Sequence, residues 1–356
     1  MIRAARTGVY VHIPFCAARC DYCDFATWTD RAHLIDVYVD ACVRDLAQRA
    51  LAPVDTVFFG GGTPSLLAAH QLTRILDAIP RAGDAEVTVE CNPDSVDLEK
   101  FRAYVGAGVN RVSFGVQSMR PHVLVALGRT HDPDNVERAV RYARDAGFTS
   151  LNLDLIYGSP SESVDDWRHT LDATLRLAPE HVSAYALTVE PGTPLGKAVA
   201  AGTRVAPDDD DQAEKYELAE ALLTDAGLAN YEVSNWARPG HECRHNQLYW
   251  GQHDYVGIGC AAHSHRAGRR WWNLRTPERY IAAVREGRPT EAAGETLDGD
   301  VRRVEGLQLS LRTTAGVPLD ALDGDDLPGL VERADDRWVL TRRGRLMANE
   351  VAVRLR

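Results

Sequence analysis

The chain has 356 residues, and 40 Lys and Arg against 51 Asp and Glu give a formal net charge of −11. A composition of 45% hydrophobic and 26% charged residues excludes the disordered and fibrous classes, and the acidic balance argues against nucleic acid as the main partner. No apolar run approaches the roughly 18 to 20 residues of a membrane-spanning helix and no apolar signal segment opens the chain, so a cytoplasmic protein is expected.

From Gly8 to Leu187 a short β-rich run is followed, again and again, by a loop and a stretch of helical period. The predicted strands are Val9–Ile13, Thr56–Phe59, Glu86–Glu90, Arg111–Gly115, Leu151–Ile156 and His181–Leu187. Helices are predicted near Leu34–Ala50, Leu66–Ile79, Glu99–Ala107, Pro133–Ala146 and Val164–Leu177, with Asp132 placed as an N-cap before a first-turn proline. Six parallel strands with helical crossovers make either an open doubly wound sheet or a partial barrel. In Val87-Thr88-Val89-Glu90 and Leu151-Asn152-Leu153-Asp154 the polar residues alternate with apolar ones, which sets Glu90 and Asp154 off the apolar face near strand ends. Gly60-Gly61-Gly62, Gln117 and Arg129 follow the ends of other strands. Polar groups converging from several carboxyl strand ends are the active-site arrangement of barrels, so the α/β fold class is read as a partial barrel.

After Pro194 the pattern changes: a helix near Pro207–Ala226, a short strand at Tyr231–Val233, a loop-rich stretch dense in His, Trp and Gly to Asn273, and a helix from about Thr276. The tail reads as a helix at Val301–Leu311, a second around Leu319–Leu322, a β pair near Trp338–Thr341 and a closing helix, a small, mostly helical, winged-helix-like domain. Its Arg337, Arg342, Arg343 and Arg345 are interspersed with acids and read as a solvated surface. The expected organisation is therefore a partial barrel over residues 1–235, a barrel-closing segment over 236–295 and the small domain over 296–356.

Of seven cysteines, Cys42, Cys91, Cys243 and Cys260 are scattered, and Cys42 shares a helical stripe with Ile35, Val39 and Leu46 that marks it as core. Cys16, Cys20 and Cys23 are clustered. Three thiolates in Cys-x3-Cys-x2-Cys spacing on a loop after a strand can hold three irons of a 4Fe-4S cube and leave the fourth open. A structural zinc ion would need a fourth ligand from His12, Asp21 or Asp24 in an awkward local geometry.

The run Cys16-Ala-Ala-Arg-Cys20-Asp-Tyr22-Cys23 resembles the cluster motif of radical S-adenosylmethionine (SAM) proteins. The resemblance extends through Tyr10-Val-His12-Ile-Pro14-Phe15, Phe59-Gly60-Gly61-Gly62-Thr63-Pro64-Ser65, Glu90-Cys91-Asn92-Pro93, Gly115-Val116-Gln117-Ser118, Leu127-Gly128-Arg129 and Asp154-Leu155-Ile156-Tyr157-Gly158. It is closest to the coproporphyrinogen-dehydrogenase-like branch, which implies a partial (β/α)6 barrel with a 4Fe-4S cluster, SAM bound to its open iron, and a 5′-deoxyadenosyl radical on reduction. By that resemblance Tyr10, Tyr22, Gly61, Gly62, Thr63, Glu90, Gln117, Arg129, Asp154 and Ala186 match cofactor-contacting positions, of which Gln117, Arg129, Asp154 and Ala186 belong to a second SAM in the related dehydrogenase.

The chain departs from the dehydrogenases at Phe25, where they carry a further cysteine, and in the early start of its first strand. Both departures resemble the HemW-like heme chaperone branch, as does His245-Asn246-Gln247-Leu248-Tyr249-Trp250, which is similar to that branch's heme-associated motif. The resemblance implies heme as cargo, His245 as a candidate iron ligand, and client hemoproteins such as membrane-bound respiratory cytochromes. It also implies an electron donor, leaves a homodimer and a peripheral membrane association open, and argues against coproporphyrinogen dehydrogenase activity. His245 stands in a stretch with His241, His253, His263 and His265, and Tyr249, Trp250, Trp271 and Trp272 offer flat surface to a macrocycle. Cys243 is an alternative iron ligand, His241, Cys243 and His245 could make a zinc site, and the segment could instead close the barrel without touching heme.

Overall fold

A computed structural model of the chain describes residues 7–129 and 131–356, so residues 1–6, which gave no sign of a signal segment, lie outside the described residues. The first half is β1 (Thr7–Ile13), α1 (Ile35–Arg49), β2 (Val54–Gly61), α2 (Ala69–Asp77), β3 (Arg81–Cys91), α3 (Leu98–Gly106), β4 (Arg111–Gln117), α4 (Pro121–Ala126), α5 (Pro133–Ala146), β5 (Leu151–Tyr157), α6 (Val164–Arg176) and β6 (His181–Ala186). There follow α7 (Pro194–Ala200), α8 (Asp209–Asp225), β7 (Ala229–Glu232), β8 (Asn235–Ala237), α9 (Arg244–Trp250), β9 (Asp254–Ile258), β10 (His263–Arg266), β11 (Arg269–Asn273), α10 (Pro277–Arg285) and β12 (Glu291–Thr296).

Strands β1 to β6 lie side by side in chain order and parallel, with no reversal of winding. A doubly wound sheet would reverse its strand order partway across. The partial barrel is therefore the observed fold, and the sheet is open, its full order running β12-β11-β10-β9-β1-β2-β3-β4-β5-β6-β8-β7. Curvature shows in the side chains: Tyr10 on β1 and Tyr185 on β6 line one cavity although four strands separate theirs.

Alternation explains which face is which. Val9, Val11, Val57, Phe59, Val87, Val89, Val112, Phe114, Leu151, Leu153 and Val182 point to the helical layer and form the main core with α1, α2, α3, α5 and α6. The intervening Tyr10, Phe58, Glu90, Ser113, Asn152, Asp154 and Ser183 are left on the inner face. Asp132 does cap α5, accepting from the Asp134 amide, and Cys42 is fully buried in the core.

Residues 244–273, expected to be loop-rich, instead form α9 and three strands. β9 pairs parallel with β1, β10 and β11 make a hairpin beside it, and β8 crosses the expected boundary after residue 235, so one sheet runs through both segments. The tail has α11 (Gly299–Leu311), a three-stranded sheet of β13 (Val317–Pro318), β14 (Val331–Ala334) and β15 (Arg337–Leu340), then α12 (Arg342–Leu346) and α13 (Ala348–Ala352). Only a single 3-10 turn forms at Leu319–Ala321, where a helix is expected. These residues gather their own core around Leu311, Val317, Leu322, Leu340 and Val351. Of the four arginines read as solvated, Arg345 is tied down by an ion pair with Glu220 on α8.

Candidate functional site

The cluster loop leaves β1 at Ile13 and is clamped by backbone hydrogen bonds: Gly62 donates to Ile13, Thr63 to Phe15 and Trp28 to Pro14 at 2.7–2.8 Å. Cys16, Cys20 and Cys23 are free, half-buried thiols close enough to influence one another's ionisation. Burial raises the thiol pKa of Cys16 and of Cys23, so stable thiolates there need a cation. Part of that need is met by Arg129, whose Nη1 lies 3.5 Å from Cys20 Sγ while Nη2 donates to the Gly115 carbonyl at 2.7 Å. Burial opposes the charge on Arg129, but Tyr22 and the Cys20 thiol hold its pKa up. Among the described residues no three His, Cys, Asp or Glu side chains gather closely enough for a single metal ion. Both zinc readings lose their geometry, whereas a cube takes one sulfur on each of three irons and so does not require the thiols to converge on one ion.

Gly61 and Gly62 need to be glycine. Gly61 has φ +107°, and a Cβ on it would strike the His12 ring. A Cβ on Gly62 would sit 2.7 Å from Phe15 O, 2.8 Å from Ile13 O and 3.0 Å from Cys16 Sγ. Gly62→Ala is therefore expected to push the cluster loop away from β2 and lower both iron loading and SAM affinity, while circular dichroism still reports a folded barrel. Full iron and SAM binding in that variant would show the close approach to be unimportant.

Beside this loop lies a cavity of about 220 Å³, lined among others by Tyr10, Phe58, Gly61, Glu90, Arg111 and Asp154. Glu90 accepts from the Gly61 amide at 3.1 Å; burial, reinforced by Asp154, pushes its pKa up to about 8. Asp154 accepts from Ser113 and Asn152 at 2.7 Å, yet burial still raises its pKa. Arg111 is buried and its Nε has no hydrogen-bond partner among the described residues. Spare donor and acceptor capacity on this wall, beside the cluster loop, is what a cluster-bound amino acid carrying a nucleoside requires, so these residues fit SAM and a 4Fe-4S cluster.

The other expected positions are spread around the same end of the sheet. Thr63 lies against Cys16, its hydroxyl 3.8 Å from the sulfur. Tyr22 packs on the Val123, Leu127, Ile156, Leu187 and Leu195 cluster. Gln117 ends β4 with φ +66°, its amide beside Gly115, and Ala186 ends β6 exposed to solvent, not lining the cavity. Arg111, Ser113, Asn152, Ser183 and Tyr185 line the cavity and are absent from the expected set. The period-2 alternation that revealed Glu90 and Asp154 could have found them on β4, β5 and β6.

His245, the expected iron ligand, lines this same cavity. The Glu86 carboxylate accepts from the first amides of α9, Arg244 and His245, at 3.0 Å, and so anchors this short helix across the amino ends of β2 and β3. His245 is fully buried, with Nδ1 2.8 Å from the Thr56 hydroxyl, Nε2 2.9 Å from the Tyr249 hydroxyl, and Phe58 stacked on its ring. Burial lowers its pKa to about 3, and in either tautomer the free lone pair accepts from a hydroxyl, which an iron ligated there would displace. The motif thus forms the floor of the cavity. Cys243 is equally buried, its thiol 3.7 Å from Glu86.

The sequence profile of the radical SAM superfamily matches residues 10–174. The chain is 44% identical to the heme chaperone HemW of Mycobacterium tuberculosis over 97% of its own length and 93% of that protein. It is 36% identical to HemW of Escherichia coli over 99% and 98% of the two chains. The solved coproporphyrinogen III oxidase HemN of Escherichia coli superposes with a TM-score of 0.84 at 25% identity, covering 98% of this chain and 89% of that one. Identity at this level across nearly the whole length of several relatives means that the chain belongs to the HemW family of radical SAM proteins.

Proposed function

We propose that this protein is a heme chaperone, which binds heme and hands it to client hemoproteins under the control of a cluster-bound SAM. The observation that carries the reading is the near full-length identity to HemW proteins of distant bacteria. In it Cys16, Cys20 and Cys23 hold the 4Fe-4S cluster, Arg129 supplies a positive charge beside Cys20, and Gly61, Gly62, Thr63 and Glu90 receive SAM on the cavity side. Tyr10 and Asp154 complete the cavity wall, with Gln117 and the cluster-loop Tyr22 as further proposed contacts. A cluster and SAM bound there supply one-electron chemistry. The chain's own contribution is to hold Glu90, whose pKa burial raises to about 8, and Asp154, hydrogen-bonded by Ser113 and Asn152, on the cavity wall. Respiratory cytochromes at the membrane are the proposed clients; no helix among the described residues is long and apolar enough to cross a membrane, so contact with them would be peripheral.

The likeness to HemN supports a second reading, oxidative decarboxylation of coproporphyrinogen III. Phe25 speaks against it: the side chain is 68% exposed and lines the cavity at the position where the dehydrogenases carry their further cysteine. Anaerobically reconstituted protein is expected to bind hemin, to convert an apo-hemoprotein to its holo form, and to make no vinyl product from coproporphyrinogen III. Vinyl product, or hemin binding no tighter than that of an unrelated acidic protein, overturns the chaperone reading.

A further inference from the structure

The large sheet has two ends, and the chain closes only one of them. At one end β7 is covered by tail residues 312–314: Val233 donates to Arg312 O at 3.0 Å, Thr314 to Tyr231 O at 3.2 Å, and Glu232 bridges to Thr313. At the other end β12 pairs with β11 alone, and all six of its residues are exposed. An uncovered edge strand is a template for a further strand, and proteins ordinarily guard it with free charges, proline or a bulge. β12 reads Glu-Ala-Ala-Gly-Glu-Thr, with neither lysine nor proline. Its two carboxylates are drawn back onto β11, Glu291 by Arg269 at 2.6 Å and Glu295 by Arg270 at 2.7 Å. The one irregularity of its pairing lies between Trp272 and Asn273, so the register stays regular from Ala293 to Thr296.

That register says which backbone groups are on offer. Leu297 donates to Gly268 O, so in this antiparallel pair Glu295 and Ala293 also turn their backbone groups to β11, while Gly294 and Thr296 turn theirs outward. Small side chains leave the approach clear. Gly294 stands opposite the half-buried Trp271, and a Cβ there would lie 2.9 Å from the Trp271 Cβ, so no side chain separates that tryptophan from the edge.

A pocket of about 520 Å³ opens beside the start of the same strand, where Glu291 and Ala292 line it together with Trp272, Leu274, Arg275 and Arg279. Its carboxylate Glu291 is engaged by Arg269, and the neighbouring Glu278 by Arg31. Arg275 and Arg279 are exposed, and their guanidinium groups have no ion-pair partner among the described residues. Unpaired guanidinium groups are fitted to carboxylates, which they bind in a planar, two-pronged manner.

We propose that the open edge of β12, with the arginine-rimmed pocket beside it, is a docking surface for an acidic, extended segment of a partner protein, which adds to the sheet as a further strand. The outward groups of Gly294 and Thr296 supply main-chain hydrogen bonds, and alternate acidic side chains of the segment reach Arg275 and Arg279. Charge complementarity chooses the occupant: the chain as a whole carries −11, yet the only charges left unengaged in this pocket are positive.

A fluorescent synthetic peptide of alternating Glu and Val, titrated into the full chain, tests this by anisotropy, beside the same peptide with Lys in place of Glu. Long-range attraction to an acidic protein favours the Lys peptide, so tighter binding of the Glu peptide reports the local arginines. Hydrogen exchange at the Gly294 and Thr296 amides is expected to slow in the complex. Thr296→Pro removes an outward donor and spares the bonds to β11, so it should weaken the Glu peptide at least about tenfold with circular dichroism unchanged. Arg275→Gln/Arg279→Gln should abolish the preference for Glu over Lys while the edge amides remain protectable. Absence of binding, equal affinity for the two peptides in wild type, or unchanged exchange at Gly294 and Thr296 overturns the proposal. Protection of those amides that rises with protein concentration in the absence of peptide gives the edge to a second copy of the chain and also overturns it.

Discussion

Cys16→Ala, Cys20→Ala and Cys23→Ala are each expected to lose most of the iron taken up on anaerobic reconstitution, together with the broad visible absorption of the cluster. The reason is coordination number. In the proposed ligation three sulfurs would serve three irons, so each thiol would be the sole protein ligand of its iron, and removing one would leave a cube with two open corners. The clamp on the loop does not compensate, because the bonds from Gly62, Thr63 and Trp28 are made by backbone and persist in each variant without supplying a ligand. Cys42→Ala, Cys91→Ala, Cys243→Ala and Cys260→Ala are the matched controls: these four thiols are buried away from the loop, and each variant should keep its iron while losing about 1 kcal/mol of stability. Retention of full iron in the three loop variants would remove the cluster from the account of this protein. Loss of iron in a core variant with normal circular dichroism would place a ligand where the sequence puts none.

What could be read from the sequence was what repeats locally. The six parallel strands were legible because each is a short β-branched run with turn residues after it, and the helices between them carry period-3.6 stripes. The cluster loop was legible because its three cysteines are adjacent in sequence. The stretch from Arg244 to Asn273 was not. α9 spans only Arg244–Trp250, too short to display a helical stripe, and β10 and β11 read His-Ser-His-Arg and Arg-Arg-Trp-Trp-Asn, with almost none of the alternation that marks a half-buried strand. The surroundings of His245 were hidden for a related reason. Thr56, which meets its ring, and Glu86, which accepts from its backbone amide, lie 189 and 159 residues earlier in the chain, so only tertiary pairing brings them to it. The motif contains one hydroxyl partner of the ring, Tyr249, but not the other, Thr56.

Lys215→Ala is expected to lower stability by about 3–5 kcal/mol, because it strands a carboxylate in the core. On α8 the Lys215 side chain is fully buried, its Nζ donating to Glu162 O and to Asp211 Oδ2 at 2.6 Å and lying 3.5 Å from Glu162 Oε2. Glu162, also fully buried, accepts from the Gly158 amide at 2.9 Å and so fixes the loop that leaves β5, while its Oε1 has no partner among the described residues. Gln212 on the same helix donates to Leu187 O at 2.9 Å, so α8 ties together the segments that leave β5 and β6. Burial pushes the Glu162 pKa up to about 7, with the Gly158 amide and the Lys215 ammonium opposing the rise. The folded state therefore keeps a proton that the unfolded chain releases near its ordinary value of about 4.3, and this group's contribution to stability falls as pH rises from there to about 7, then levels. Lys215→Met removes the opposing ammonium but fills the space, so its Glu162 should hold the proton to higher pH. The deficit of Lys215→Met against wild type should then be small at acidic pH, where Glu162 is neutral in both, and should widen as pH rises through 7 and beyond. Adding Glu162→Gln to Lys215→Met removes the ionisable partner and should abolish that widening, as urea unfolding at several pH values would record. A deficit that stays constant with pH and survives in the double variant would assign the loss to packing around Lys215, with no part for the buried charge pair.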